Sequence, residues 1–109
     1  MAENLALAEI NKAIRLSVDS GKVEFGLEAC LKKALLGKGK LIILSSSAPK
    51  EKKEDIKRYA KMSKLMVYES PLNSRDLGSL CGKPYLVGGM VIENPGDSKI
   101  LELINRENK

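Results

Sequence analysis

Apolar and polar positions alternate along this chain in two rhythms, one helical and one extended. Leu7, Ile10, Ile14 and Val18 recur at helical spacing, which predicts a helix over residues 3–19. Ser20-Gly21 ends it, and Lys22 to Phe25 reads as a short strand with Val23 and Phe25 on one side. Gly26 turns the chain into a second helix, whose stripe is Leu27, Cys30, Leu31, Ala34 and Leu35, with Lys32 and Lys33 turned away. Leu41-Ile42-Ile43-Leu44 is an unbroken apolar run, as expected of a central strand covered on both faces. Pro49 suits the first turn of a third helix, which runs to about Ser63 with Ile56, Tyr59, Ala60 and Ser63 on one face.

Leu65 to Tyr68 reads as a third strand. Asn73 or Ser74 can cap a short helix through Leu80. Leu86 to Ile92 is the expected fourth strand, softened by Gly88-Gly89. Asn94 to Ser98 is a turn, and Ile100, Leu101 and Ile104 pack a last helix whose end, Asn105 to Lys109, is expected to fray. Helices alternating with strands imply an α/β fold, a three-layer α/β/α sandwich around a four-stranded mixed sheet. The 109 residues suit one domain over 1–109.

Composition narrows the chemistry. With no tryptophan and one phenylalanine, the core must be aliphatic. The net charge of +5 permits a polyanionic partner without demanding one, and there is no basic tail. Any surface for nucleic acid must therefore be assembled by folding. Histidine is absent, and Cys30 and Cys81 stand alone on apolar stretches, so neither a metal site nor a cofactor is expected. Glu3 and Glu9 interrupt the amino-terminal region, so no signal peptide is expected, and no apolar run approaches the ~20 residues of a membrane span. A cytoplasmic protein is expected. An enzyme working at the sheet's carboxyl edge, where α/β ligand sites lie, is a weak alternative: Glu54 and Asp55 are neighbours that do not face each other, and Cys81 has no activating base nearby in sequence. Gly37-Lys38-Gly39-Lys40 imitates a phosphate loop only superficially, because it follows a helix and precedes a strand.

Gly82-Lys83-Pro84-Tyr85 holds the candidate for binding. An aromatic behind a Gly-Lys-Pro turn either sits at a loop tip, able to stack on a base, or begins an ordinary half-buried strand.

Several stretches together resemble the large-subunit ribosomal protein family thirty-e of archaeal and eukaryotic ribosomes, within the wider L-seven-Ae group of kink-turn RNA binders. They are Gly21-Lys22-Val23-x-x-Gly26, Gly37-Lys38-x-Lys40-Leu41-Ile42-Ile43, Ile56-x-x-Tyr59-Ala60-x-x-Ser63-Lys64, Val67-Tyr68, Leu77-Gly78-x-x-x-Gly82-Lys83 and Pro95-Gly96-Asp97-Ser98-x-Ile100. Each is unspecific alone, while their order and spacing fit over nearly the whole chain. The resemblance implies a non-catalytic component of the large subunit that recognises a kink-turn-like internal loop of rRNA. It further implies neighbouring ribosomal proteins as partners, a ribosome-associated cytoplasmic location and a monomer outside the ribosome. A general kink-turn adaptor of another ribonucleoprotein is the alternative within the same group.

Carried over by position, three loops at one end would grip the RNA. The first is Phe25-Gly26-Leu27-Glu28. The second is Ser46-Ser47-Ala48-Pro49 with Lys52 and Lys53. The third is Gly82-Lys83-Pro84-Tyr85-Leu86-Val87. Gly26 either lets backbone approach RNA or makes a tight turn, and the serines either donate to RNA or cap helices. Lys22, Lys52, Lys53 and Lys83 are candidates to neutralise phosphate. The chain departs from the family at Ser47, where asparagine is common, and at Glu28, where some members carry a cation.

Overall fold

The structure, a computed structural model, describes residues 2–107, with side chains described for 7–104. Its elements in chain order are α1 (Ala2–Ser20), β1 (Lys22–Phe25), α2 (Leu27–Leu36), β2 (Leu41–Leu44), α3 (Lys50–Met62), β3 (Met66–Glu69), α4 (Ser74–Leu80), β4 (Gly89–Asn94) and α5 (Ile100–Glu107). The strands form one mixed sheet in the order β1-β4-β2-β3, in which β2 and β3 make the one parallel pair and β4 runs against the other three.

The apolar run 41–44 sits inside the sheet beside β4 because it is covered on both faces, as are Met90, Val91 and Ile92 of β4. Ile42 and Leu44 point into a core with Cys30 and Ala34 of α2 and Ile56 and Ala60 of α3. Leu41 and Ile43 point the other way, against Ile10 and Ile14 of α1, Leu77 of α4, and Ile100 and Ile104 of α5. All four are fully buried, each worth about 1.5–3 kcal/mol of apolar burial. The result is the expected sandwich, with α2 and α3 on one face and α1, α4 and α5 on the other.

Several expected boundaries move. β3 starts one residue late, at Met66, because Leu65 is held in the turn by its N–H to the Ala60 carbonyl. Pro49 stands just before α3 rather than inside its first turn. β4 begins at Gly89 instead of Leu86 and extends to Asn94, which pairs with Lys22. The apolar pair Leu86-Val87 looks like strand, but the Val87 N–H goes to the Ser74 carbonyl at 3.0 Å instead of into the sheet. Leu35, placed on the buried stripe of α2, is 57% exposed. The buried face centres on Cys30 and Ala34, and Leu35 lies one step of about 100° round from Ala34. The expected fray does not begin at Asn105: α5 continues to Glu107, and Asn108 and Lys109 lie outside the described residues. No helix among the described residues is long and apolar enough to cross a membrane.

Candidate nucleic-acid interface

Antiparallel pairing of β4 with β1 and β2 brings Phe25, Leu44 and Gly89 to one end of the sheet. The three loops singled out in the sequence emerge there together and are stitched by backbone bonds. Gly26 donates to the Gly89 carbonyl at 2.8 Å and Ser45 to that of Gly88 at 3.0 Å. Ser46 reaches across to the Leu72 carbonyl at 2.8 Å, so the turn after β3 joins the same end.

Gly26 precedes α2 with φ of 114°, a conformation that favours glycine, and space is open around its α-carbon. No side chain caps α2, which leaves its first N–H groups facing outward. Leu27 and Glu28 follow, and Leu27 is partly buried in the α2–α3 core. Glu28, Lys52, Asp55 and the apolar Leu27, Leu31 and Ile56 line a hollow of about 140 Å³ between the two helices. Glu28 thus shares that hollow with one lysine and one further carboxylate.

The serines divide. Ser46 is exposed, and its carbonyl accepts weakly from Lys53 Nζ at 3.4 Å. The Ser47 hydroxyl, expected either to donate to RNA or to cap a helix, does not cap α3. It accepts from the Ser74 N–H at 2.8 Å and pairs with Ser74 Oγ at 2.6 Å. Asn73, not Ser74, caps α4 by accepting from the Asp76 N–H at 2.8 Å. Ser74 thus joins the second loop through Ser47 and the third through Val87.

The third loop carries the exposed chemistry. Gly82 has φ of 72° and packs beneath the Arg15 guanidinium, which donates to the Leu80 carbonyl at 3.2 Å. Lys83 Nζ lies 5.0 Å from the centre of the Phe25 ring, a cation–π contact between the third and first loops. Tyr85 is 52% and Leu86 70% exposed. Tyr85 is thus a loop-tip residue and not the start of a strand. Val87, assigned to the binding set, is buried in the core instead and roots the loop.

Lys83, Pro84, Tyr85 and Leu86 share an open groove of about 360 Å³ with Arg75 and Ser79 of α4. Sequence reasoning missed Arg75 and Ser79: their spacing of four puts them on one face of α4, but which face the loop crosses is fixed only by the fold.

Lys22 does not join this surface. It stands at the opposite end of β1, roughly 10 Å away along the strand, paired with Glu93 at 3.6 Å. Lys33 also holds Glu93, at 2.7 Å, and this hydrogen bond keeps the carboxyl below its usual range while raising the lysine.

Nothing in the cysteines suggests reactivity. Burial pushes Cys30 up to about 12 and Cys81 to about 11, the latter against the opposing pull of Arg15 and Lys83. Among the described residues no group of acidic, cysteine or histidine side chains is placed to hold a metal. Cys30→Ala combined with Cys81→Ser should cost about 1 kcal/mol per site in a denaturant titration and leave the surface of the three loops unchanged.

A four-stranded sandwich with three tethered loops and an exposed tyrosine at one end is the architecture of a binding module. Sequence comparison gives the family. A model of the ribosomal protein L7Ae/L30e/S12e/Gadd45 family matches residues 8–102. The large ribosomal subunit protein eL30 of Methanothermobacter thermautotrophicus is 46% identical over 96 residues, covering 88% of this chain and 98% of the relative. That of Methanocaldococcus jannaschii is 41% identical over 99 residues, covering 91% and 90%. That of Methanosphaera stadtmanae is 43% identical over 95 residues, covering 87% and 97%. The chain belongs to this family and is similar to its eL30 ribosomal members, which are not enzymes, and the resemblance read from its motifs holds over most of the chain.

Proposed function

We propose that the protein is a structural component of the large ribosomal subunit that recognises a kink-turn-like internal loop of rRNA through its three-loop end. The observation that carries this reading is Tyr85. It is a half-exposed aromatic on a loop anchored by buried Val87, beside a groove with Lys83 and Arg75 on its rim. A ring so held stacks on an unpaired base without first being ordered, and stacking is sequence-tolerant. Gly26 and the free N–H groups of α2 attract phosphate, and Lys52, Lys53 and Lys83 add charge around it. Ser46 offers a hydroxyl to ribose or base edges. Pro84 and Leu86 flank the ring with apolar surface. The relatives bear the name of a large-subunit protein, which supports rRNA and neighbouring ribosomal proteins as partners and a ribosome-associated place in the cytoplasm. A monomer outside the ribosome is part of the same proposal.

The test is binding to two RNAs, an asymmetric internal loop and a fully paired duplex, at two salt concentrations. The internal loop should bind far more tightly, with a salt slope of about three to five phosphate contacts. Equal affinity would reject recognition of a kinked loop.

Two substitutions toward the family pattern sharpen this. Ser47→Asn should hold or improve affinity, since an amide oxygen can still accept from the Ser74 N–H while its NH₂ faces RNA. Stability should change by less than about 1 kcal/mol. Glu28→Lys should strengthen binding and steepen the salt dependence by about one contact. Weaker binding by Glu28→Lys would mean that the carboxylate accepts from a base.

A further inference from the structure

The end of the sheet away from the three loops has its own charge. There α2 and α3 finish side by side, with Ser63 Oγ donating to the Ala34 carbonyl at 2.8 Å. The turns that leave them also run together, since a Cβ on Gly37 would lie 3.4 Å from that of Ser63 and Leu41 pairs with Met66 just beyond. These turns and the last turn of α3 carry Lys38, Lys40, Lys61 and Lys64, all exposed. Neither turn contains a carboxylate, and among the described residues none of the four lysines makes an ion pair. Glu93, the carboxylate of this end of β4, is already engaged by Lys33 and Lys22. The outer face of α3 differs, because there Arg58 pairs with Asp55 and Lys57 with Glu69.

The attraction of cations to helix carboxyl ends accounts for Lys61. It does not account for Lys64. Both helices end in the same turn. In α2 the Lys38 N–H reaches back to the Lys33 carbonyl across Gly37, whose φ is 68°. In α3 the Leu65 N–H reaches back to the Ala60 carbonyl across Lys64, whose φ is 61°. Glycine takes this left-handed position without strain, and an L side chain does not. The lysine makes the turn harder, and among the described residues no hydrogen bond or ion pair of its side chain offsets this.

We propose that this far end is a second RNA-binding surface, which takes the phosphate backbone of a helical segment distinct from the one at the three loops, so that the protein clamps two RNA elements at opposite poles. The proposal rests on the reading of the protein as an rRNA binder. Four flexible point charges with no aromatic or amide side chain in the two turns suit a repeating line of phosphates rather than a base sequence. Leu36 and Met62, exposed at the same helix ends, would instead favour an acidic protein segment with apolar side chains.

The experiment uses the full chain and four probes: a short, fully paired RNA duplex, the internal-loop RNA, polyglutamate and phosphatidylserine vesicles. Substituting Lys38→Ala, Lys40→Ala, Lys61→Ala and Lys64→Gly together should weaken duplex binding about tenfold or more at about 50 mM salt, with a slope lower by about three to four. Affinity for the internal-loop RNA at high salt should stay within about twofold, whereas Tyr85→Ala should show the reverse pattern. Lys64→Gly alone should lower duplex affinity without lowering the melting temperature. Unchanged duplex binding by the fourfold variant, an equal loss on both RNAs, or a lower melting temperature for Lys64→Gly would overturn the proposal. So would polyglutamate or vesicles binding wild type more tightly than the duplex. Failure of the three-loop reading is separate: wild type would then fail to prefer the internal loop, whatever the lysine variant does.

Discussion

Tyr85→Ala should weaken binding to a kinked internal-loop RNA by about 1–3 kcal/mol, roughly five- to 150-fold, with the melting temperature nearly unchanged. The expectation joins two properties of one residue. The ring is 52% exposed, so its removal opens no cavity in either core. The backbone beneath it is fixed by other groups: Val87 donates to Ser74, Lys83 to the Gly78 carbonyl at 2.9 Å, and Arg15 covers Gly82. Tyr85→Phe should retain most of the affinity, because the π-face and not the hydroxyl makes the stack. The comparison with lysine matters. An exposed phosphate contact is screened by salt, so a lysine variant should lose its effect as ionic strength rises, whereas the loss at Tyr85 should persist. Affinity of the three proteins measured across salt, with thermal melts alongside, separates the two contributions. A fall in melting temperature for Tyr85→Ala large enough to account for the lost binding would make the ring structural.

The central strand and the sandwich were legible because burial on both faces leaves a direct trace, the unbroken Leu41–Leu44, and half-burial leaves helical stripes. What escaped depended on partners distant in sequence. Ser47 looks like a free hydroxyl in a serine run, and only the fold brings Ser74 to it from 27 residues away. Leu86-Val87 has strand composition, yet its hydrogen bond goes to the start of α4. Lys22 adjoins the first loop in sequence, but a strand separates them, and residues at its two ends belong to opposite poles of the molecule. Leu35 fits the periodicity of α2 while lying at the edge of its contact. Lys64 carries no sequence mark of a left-handed backbone, because glycine is the residue that normally announces one. In the candidate site, Tyr85, Lys83 and Gly26 could be found from local turn chemistry, whereas Arg75 and Ser79 required knowing which face of α4 the loop crosses.

That crossing gives the second large effect, at Gly78. This glycine is buried within α4, and the third loop runs so close over it that an added Cβ would collide with the Tyr85 carbonyl oxygen. Val87 Cγ2 would lie 3.6 Å away on the same side. Helix propensity alone predicts that Gly78→Ala stabilises the protein by about 1 kcal/mol. The clash opposes it with about 1–3 kcal/mol, as overpacking does, and the obstacle is a backbone atom that cannot rotate away. The net result should be a lower melting temperature, moderated to the extent that the loop lifts off α4. Lifting moves Tyr85, so affinity for the internal-loop RNA should fall even at temperatures where the variant is fully folded, by an amount similar to Tyr85→Ala. The double variant should then bind little worse than either single one, because both changes remove the same stacked ring and neighbouring effects of this kind do not add. Additive losses would assign Gly78 a separate part in binding. A raised melting temperature with unchanged affinity would mean that the third loop does not press on Gly78, and the preordering that makes Tyr85 effective would have to come from Arg15 and Ser74 alone.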